Sequence, residues 1–178
     1  MPILQQKPVT PSGRFFLKNK VDLAKKRPER ALTKCVHRKK GRNAYGRITS
    51  RRRGGGHKRL YRQIDFRREQ IDQPSKVIAL EYDPNRTAHL ALLEFEDGTK
   101  TYILAPSSVS VGDILLSSNQ KIDFKPGNAL PLNLIPLGTK VHCVEMLPGA
   151  GAKLARSAGC EVRLISVDGN HASLKMPS

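Results

Sequence analysis

The sequence predicts an all-β protein: a basic extended N-terminal arm over 1–45, a small barrel over 46–125, and a second, incomplete barrel over 126–178. Three observations carry this. Short runs rich in Val, Ile, Leu, Tyr and Phe recur from residue 60 onward, separated by turn residues, with no long helical period among them. Residues 119–140 concentrate Pro126-Gly127, Pro131, Pro136 and Gly138, the chemistry of a junction. The charge is also partitioned. The first 73 residues hold 22 Lys+Arg against 5 Asp+Glu, which is the whole net charge of +17, while the remaining 105 hold 10 against 10.

In chain order, residues 1–45 are basic and punctuated by proline. Val21–Arg30 carries a short helical pattern that Pro28 interrupts. The arm is expected to be ordered by a partner and disordered without one. From Leu60 the period changes to two: Leu60, Arg62, Ile64 and Phe66 alternate with Tyr61, Gln63, Asp65 and Arg67. Strands are expected over Lys76–Tyr82, His89–Phe95 and Lys100–Leu104. Asp83-Pro-Asn85 turns the chain after the first of these. Glu96-Asp-Gly-Thr99 closes a hairpin between the next two, with Gly98 at positive φ. Val111–Leu116 supplies a further short strand, and about five strands at this spacing suggest a small barrel. Beyond the junction, strands are expected at Val141–Met146, Cys160–Val167 and His171–Met176, the last two joined by Asp168-Gly-Asn170. Three strands are too few to close a barrel, so the second domain reads as incomplete at Ser178.

Composition narrows the function. Aromatics are 5% and Trp is absent, so the core must be built from Val, Ile and Leu. No apolar run approaches the ~18 residues of a membrane span. The start lacks a signal peptide's apolar centre, and Pro2, Pro8 and Pro11 break any transit helix. No membrane partner is expected. Cys35, Cys143 and Cys160 are odd in number and unpaired in spacing, which reads as free thiols in a reducing compartment. Cys35-Val-His37 and His142-Cys143 are close pairs without a matching second pair, so neither a metal nor a cofactor is expected. Glu94 and Glu96 share a strand face opposite Leu93 and Phe95. No Ser, Cys or Thr has a base beside it by motif, which argues against an enzyme.

The strongest signal is Arg47–Arg62, the centre of a stretch that has no acid between Glu29 and Asp65. Arg51, Arg52, Arg53, Lys58, Arg59 and Arg62 supply fixed charge, and arginine's planar fork grips phosphate through two bonds or stacks on a base. Gly54-Gly55-Gly56 strips the centre of side chains, so the backbone can approach a sugar-phosphate surface. His57 is suited to donate to phosphate. Tyr45 and Tyr61 offer stacking faces. A flexible basic linker or a nuclear-type basic signal is the competing reading of the same residues. The second Gly-rich stretch, Pro148–Gly159, fits neither Gly-x₄-Gly-Lys-Ser/Thr nor Gly-x-Gly-x-x-Gly. Lys153, Arg156 and Ser157 within it suit phosphates and 2′-hydroxyls on a folded RNA, and an ordinary inter-strand loop is the alternative.

Several long motifs then resemble one family, the bacterial-type large-subunit ribosomal protein L2. They are Gly41-Arg-Asn-Ala-Tyr-Gly-Arg-Ile-Thr49, Arg53-Gly-Gly-Gly-His-Lys-Arg59, Tyr61-Arg-Gln-Ile-Asp-Phe66 and Glu81-Tyr-Asp-Pro-Asn-Arg-Thr-Ala88. Asp97-Gly-Thr-Lys100, Gly127-Asn-Ala-Leu-Pro-Leu132, Ile135-Pro-Leu-Gly-Thr-Lys-Val-His142 and Arg156-Ser-Ala-Gly159 follow in the family's order. The resemblance implies an OB-fold barrel followed by an SH3-like barrel. It also implies binding to large-subunit rRNA, with support of subunit association and of the peptidyl-transferase region. By matching motif it places RNA contacts at Arg47, Arg51, Arg53, Gly54, Gly55, Gly56, His57, Lys58, Arg59, Arg86, Lys153, Arg156 and Ser157, and Arg42 is expected beside them. Arg52 stands where the family often has histidine and keeps the charge. Arg62 is expected to join the set.

Members of the family continue past Met176-Pro-Ser178 with the rest of the second barrel and a basic tail, so roles assigned to that tail do not transfer. A split gene, a truncated product and an expressed fragment are the three expectations. The first implies a separate polypeptide supplying the missing C-terminal half. The reading is therefore a structural, rRNA-binding component of a large ribosomal subunit, partnered by rRNA and other ribosomal components, in a bacterial cytoplasm or in an organelle with bacterial-type ribosomes. The rival from residues alone is a sequence-tolerant single-strand binder on an OB barrel. That rival wants several aromatic platforms, and only Tyr82, Phe95 and Tyr102 follow Phe66 in the strand region.

Overall fold

The computed structural model describes residues 3–19, 22–36 and 40–178. Apart from three single-turn 3₁₀ segments, all regular structure among these residues is strand. Strands β1 (Ile3–Gln5) and β2 (Leu17–Asn19) pair with each other as an antiparallel hairpin. Val21 lies outside the described residues. Over 22–29 the expected helix is absent, and only the 3₁₀ turn Arg30–Leu32 follows. Pro28 removes a donor and restricts the residue before it, which accounts for the difference.

Strands β3 (Thr33–Cys35) and β4 (Leu60–Arg62) pair antiparallel, with Thr33 opposite Arg62 and Cys35 opposite Leu60. The chain approaching β3 is strapped to the barrel: the Ala24 amide donates to the Leu80 carbonyl at 2.8 Å, and the Glu29 amide donates to the Tyr102 hydroxyl at 2.9 Å.

The main sheet consists of β5 (Ser75–Glu81), β6 (Leu90–Phe95), β7 (Lys100–Leu104) and β8 (Ile114–Leu115), in the order β7-β6-β5-β8 with every pairing antiparallel. Its hairpin β6–β7 closes at Gly98, with φ 75, as its Glu96-Asp-Gly-Thr99 loop predicts. A register shift between Val77 and Ala79 marks a bulge that bends β5 and lets the sheet curl.

Both faces of this sheet are buried. Val77, Ala91, Leu93, Ile103, Val109 and Leu115 pack on one side. Ala79, Leu90, Leu92, Tyr102 and Leu104 pack on the other, covered by Leu32, Ile64, Phe66 and Cys143. The near-continuous apolar run Leu90-Ala-Leu-Leu93 follows from that two-sided burial. The expected strand over Val111–Leu116 is shortened to β8, because Gly112, at φ 101, turns the chain before it.

Gly127 seals the first core. At φ 95, a Cβ there would lie 2.7 Å from a Leu115 methyl and 3.2 Å from Val109, so only glycine lets the backbone cross at this point. Beyond it, β9 (Lys140–Val141), β12 (Val162–Asp168) and β13 (His171–Lys175) form a sheet in the order β13-β12-β9, and β10 (Val144–Glu145) pairs with β11 (Ala152–Leu154). The single strand expected over Val141–Met146 is thus divided. Cys143 takes φ 53 and donates its amide to Ala155, so β9 and β10 enter different sheets. β11 lies inside the Gly-rich stretch read as a loop. Val144, Ala152, Val162 and Leu164 are buried apolar residues of this part, Val162 and Leu164 fully. The fold is all-β, in keeping with an OB-type barrel followed by an SH3-like unit.

Candidate nucleic-acid interface

The basic segment is an excursion whose two ends are fastened together by β3 and β4. His37 lies outside the described residues. Within the excursion a tight hairpin forms over 41–50. The Gly41 carbonyl accepts the amides of Thr49 at 2.8 Å and Ser50 at 3.1 Å, and the Asn43 carbonyl accepts Gly46 at 3.0 Å. The Asn43 side-chain oxygen accepts the amides of Tyr45 and Arg47 at 3.1 and 2.9 Å. Asparagine competes well for local backbone donors, so the sequence builds this turn by itself. It sets Arg42, Tyr45 and Arg47 outward, with Tyr45 89% exposed.

Arg51, Arg52 and Arg53 follow, all exposed, with Arg52 at φ 59. Gly54, Gly55 and Gly56 take φ values of 106, 69 and 81, a run of left-handed backbone that side chains would strain. His57 bonds the Lys58 carbonyl through Nδ1 at 3.0 Å, and His57, Lys58 and Arg59 are exposed. Every residue from 42 to 61 is solvent-exposed.

Arg62 is set apart from these. It is buried to 8% exposure, its Nη1 donates to the Leu60 carbonyl at 3.0 Å, and it sits 3.8 Å from the Asp83 carboxylate. Charge alone groups it with the surface cations, but it faces inward, on the side that its alternation with Leu60, Ile64 and Phe66 indicates, where fully buried Asp83 requires countercharge. Asp83 also accepts Arg86 Nε at 2.6 Å and both the amide and the side-chain nitrogen of Asn85 at 2.9 Å. That network fixes the turn and carries the Arg86 guanidinium to 5.9 Å from the centre of the Tyr61 ring.

The Gly-rich stretch folds differently from a phosphate cradle. The Glu145 carboxylate accepts the amides of Gly149 at 2.7 Å and Gly151 at 3.0 Å, so those donors already hold an anion. Lys153, Arg156 and Ser157 are exposed beyond it. Arg156 lies 5.1 Å from the centre of the Phe66 ring. The Ala158 amide donates to Thr87 Oγ1 at 3.2 Å, which ties this loop to the Arg86 turn, and the Ala152 amide donates to the Phe66 carbonyl at 2.9 Å. The structure therefore brings the Arg86 and Arg156 loops together as two arginine–aromatic pairs. Reading the sequence missed Phe66 as a partner and missed the Thr87–Ala158 tie. The period-two pattern around Phe66 signalled a strand face, not a cation's seat.

Other chemistry is sparse. Glu94 pairs with Lys100 at 3.7 Å, and Glu96 is exposed. Burial pushes the Cys143 thiol up to about 11, which keeps it protonated and unreactive. Among the described residues no group of three or more His, Cys, Asp or Glu is arranged to hold a metal ion, and no helix is long and apolar enough to cross a membrane.

Two family models match the chain. The one described as Ribosomal Proteins L2, RNA binding N-terminal domain, covers residues 29–117. The one described as Ribosomal Proteins L2, C-terminal domain, covers residues 125–178. The chain is also similar to the large ribosomal subunit protein uL2 of Opitutus terrae, with 53% identity over 181 residues, covering 100% of this chain and 63% of that protein. The chain thus spans 63% of that relative's length.

Proposed function

This chain belongs to the ribosomal protein L2 family, and we propose that it is a structural, rRNA-binding constituent of a large ribosomal subunit. Its partners are large-subunit rRNA and neighbouring ribosomal components, and its place is the ribosome of a bacterial cytoplasm or of an organelle with bacterial-type ribosomes. By ordering rRNA it supports subunit association and the peptidyl-transferase region. No turnover belongs to this role. The proposed division is a basic arm, an OB-type barrel over 46–125 that also takes in Thr33–Cys35, and an SH3-like unit over 126–178.

The observation that carries this reading is the geometry of the basic excursion. Seven cations, Arg42, Arg47, Arg51, Arg52, Arg53, Lys58 and Arg59, stand exposed on a loop held at both ends and free of acids between Glu29 and Asp65. Such a loop loses less entropy on binding than a tail of equal charge. If all seven meet phosphates, log affinity should fall with log salt at a slope of about −5 to −6. Gly54–Gly56 let the backbone approach the RNA closely. Arg86 on Tyr61 and Arg156 on Phe66 present guanidinium edges from seats that fix their direction, and Lys153 and Ser157 extend that second face. Arg62 acts from below by neutralising Asp83.

Assembly of large subunits from rRNA and the other subunit proteins tests the proposal. The chain should cosediment with the particle after a high-salt wash. Its appearance in the supernatant would refute the reading.

A further inference from the structure

The N-terminal hairpin lies outside every cation set named above, and its tip displays aromatic surface. β1 and β2 pair from Ile3↔Asn19 to Gln5↔Leu17. The connection between them is ordered by its own bonds. The Thr10 carbonyl accepts the amides of Gly13 at 3.0 Å and Arg14 at 3.3 Å, Thr10 Oγ1 accepts Gly13 at 3.1 Å, and the Gly13 carbonyl accepts Phe16 at 3.4 Å. Gly13 is buried in this turn, where a Cβ would sit 3.1 Å from Thr10 Oγ1 and 3.3 Å from the Lys7 carbonyl. The turn therefore has a definite shape, and it holds Phe15 at 87% exposure and Phe16 at 51%.

A large apolar ring held in water on a bonded turn loses hydration free energy that a partner would recover. The charge around it selects the partner. No acid precedes Asp22, and Lys7 lies just before the turn and Arg14 within it. Apolar flat surface set among cations alone is complementary to an unpaired base with its phosphates.

We propose that Phe15, carried on the Thr10–Phe16 turn, stacks on an unpaired base of the RNA while Arg14 and Lys7 meet the adjoining phosphates. This rests on the rRNA-binding reading and adds a contact site remote in sequence from the basic excursion. The preformed turn lowers the cost of ordering the ring.

The test uses the full chain and large-subunit rRNA transcribed in vitro, with affinity measured over a salt series. Phe15→Ala should weaken binding about 5- to 150-fold, the range for loss of one base–aromatic stack. The salt slope should not change, because stacking releases no counterion. Arg14→Ala should instead reduce the slope by about 1. Phe15→Tyr should keep the affinity and Phe15→Leu should not, since both preserve bulk but only tyrosine offers a ring face. Unchanged affinity in Phe15→Ala overturns the proposal. So does full affinity in Phe15→Leu, which points to apolar packing against protein. If the unaltered chain does not bind the rRNA, the rRNA reading fails and this proposal with it. Firm binding by the unaltered chain that is indifferent to Phe15 removes this proposal alone.

Discussion

Replacing Tyr102 with phenylalanine removes one oxygen and should loosen the strap that leads into the basic excursion. The Tyr102 ring is fully buried, so phenylalanine fills the same space without a cavity. Its hydroxyl donates to Glu81 Oε2 at 2.8 Å and accepts the Glu29 amide at 2.9 Å. Glu81 is itself buried, and its other oxygen, Oε1, has no hydrogen-bond partner among the described residues. The substitution therefore strips a buried carboxylate of its hydroxyl donor and leaves a part-buried amide without its acceptor. A hydrogen bond to a charged group is worth about 1.5–3 kcal/mol and an ordinary one about 0.5–1.5, so the loss should be about 2–4 kcal/mol. At a urea m-value of about 2 kcal/mol/M this lowers the midpoint by about 1–2 M. Hydrogen exchange reads the local consequence: the Glu29 and Ala24 amides should lose protection while the β5–β6 amides keep theirs relative to global stability. A midpoint unmoved by the change, with Glu29 still protected, would refute the claim that this hydroxyl holds the strap.

Arg59→Ala and Arg62→Ala should separate binding from folding. The first should leave the urea midpoint unchanged and reduce the RNA salt slope by about 1. The second should destabilise the fold by about 0.5–3 kcal/mol, since fully buried Asp83 keeps Arg86 at 2.6 Å but loses its second countercharge; equal midpoints for the two variants would contradict the placement of Arg62. Gly41→Ala should open the 41–50 hairpin, because φ is 65 and a Cβ would collide with the Ser50 carbonyl oxygen. Faster exchange at Thr49 and Ser50, with an unaltered β5–β8 sheet, is the expected outcome. Stability should also fall in alkali. Burial raises the Tyr102 phenol above its ordinary 10.0 and the Cys143 thiol from 9.0 to about 11. Both groups bind their protons more tightly when folded, so their contribution is complete below pH 9 and is lost as pH rises through the folded values. A urea midpoint that stays flat from pH 9 to about 11 would contradict this.

The strands that could be read from the sequence were those whose burial matches their pattern. Lys100–Leu104 falls where expected, and Ser75–Glu81 and Leu90–Phe95 differ from the expected spans by one residue at their ends. Short-range turn chemistry at Gly98 and Gly169 fixes their neighbours. What escaped depends on contacts remote in sequence. Thr33–Cys35 becomes a strand only because Leu60–Arg62 comes back beside it, and Leu32 finds a place over the Leu90–Leu92 face. Cys143 breaks an apparently continuous strand through a left-handed backbone that no local residue type announces. The exposure of Arg47 to Arg59 follows from charge density, whereas the inward side of Arg62 is legible in its alternation with Leu60, Ile64 and Phe66, and only its partner, the buried Asp83, required the fold. Arg86 and Arg156 each looked like a loop cation. Their seats on Tyr61 and Phe66, and the Thr87–Ala158 bond between their loops, are properties of the tertiary fold.

The central claim is that a loop fastened at both ends to the first barrel reads a folded RNA shape, rather than attracting any polyanion. Affinity for a large-subunit rRNA fragment against a scrambled RNA of equal length, measured across a salt series, tests it most directly. The account predicts that both affinities fall as salt rises and that the preference for the rRNA fragment survives at high salt, because Arg86, Arg156 and the Gly54–Gly56 backbone are positioned by the fold. Equal affinities that collapse in parallel would contradict it and reduce the basic excursion to a nonspecific cation.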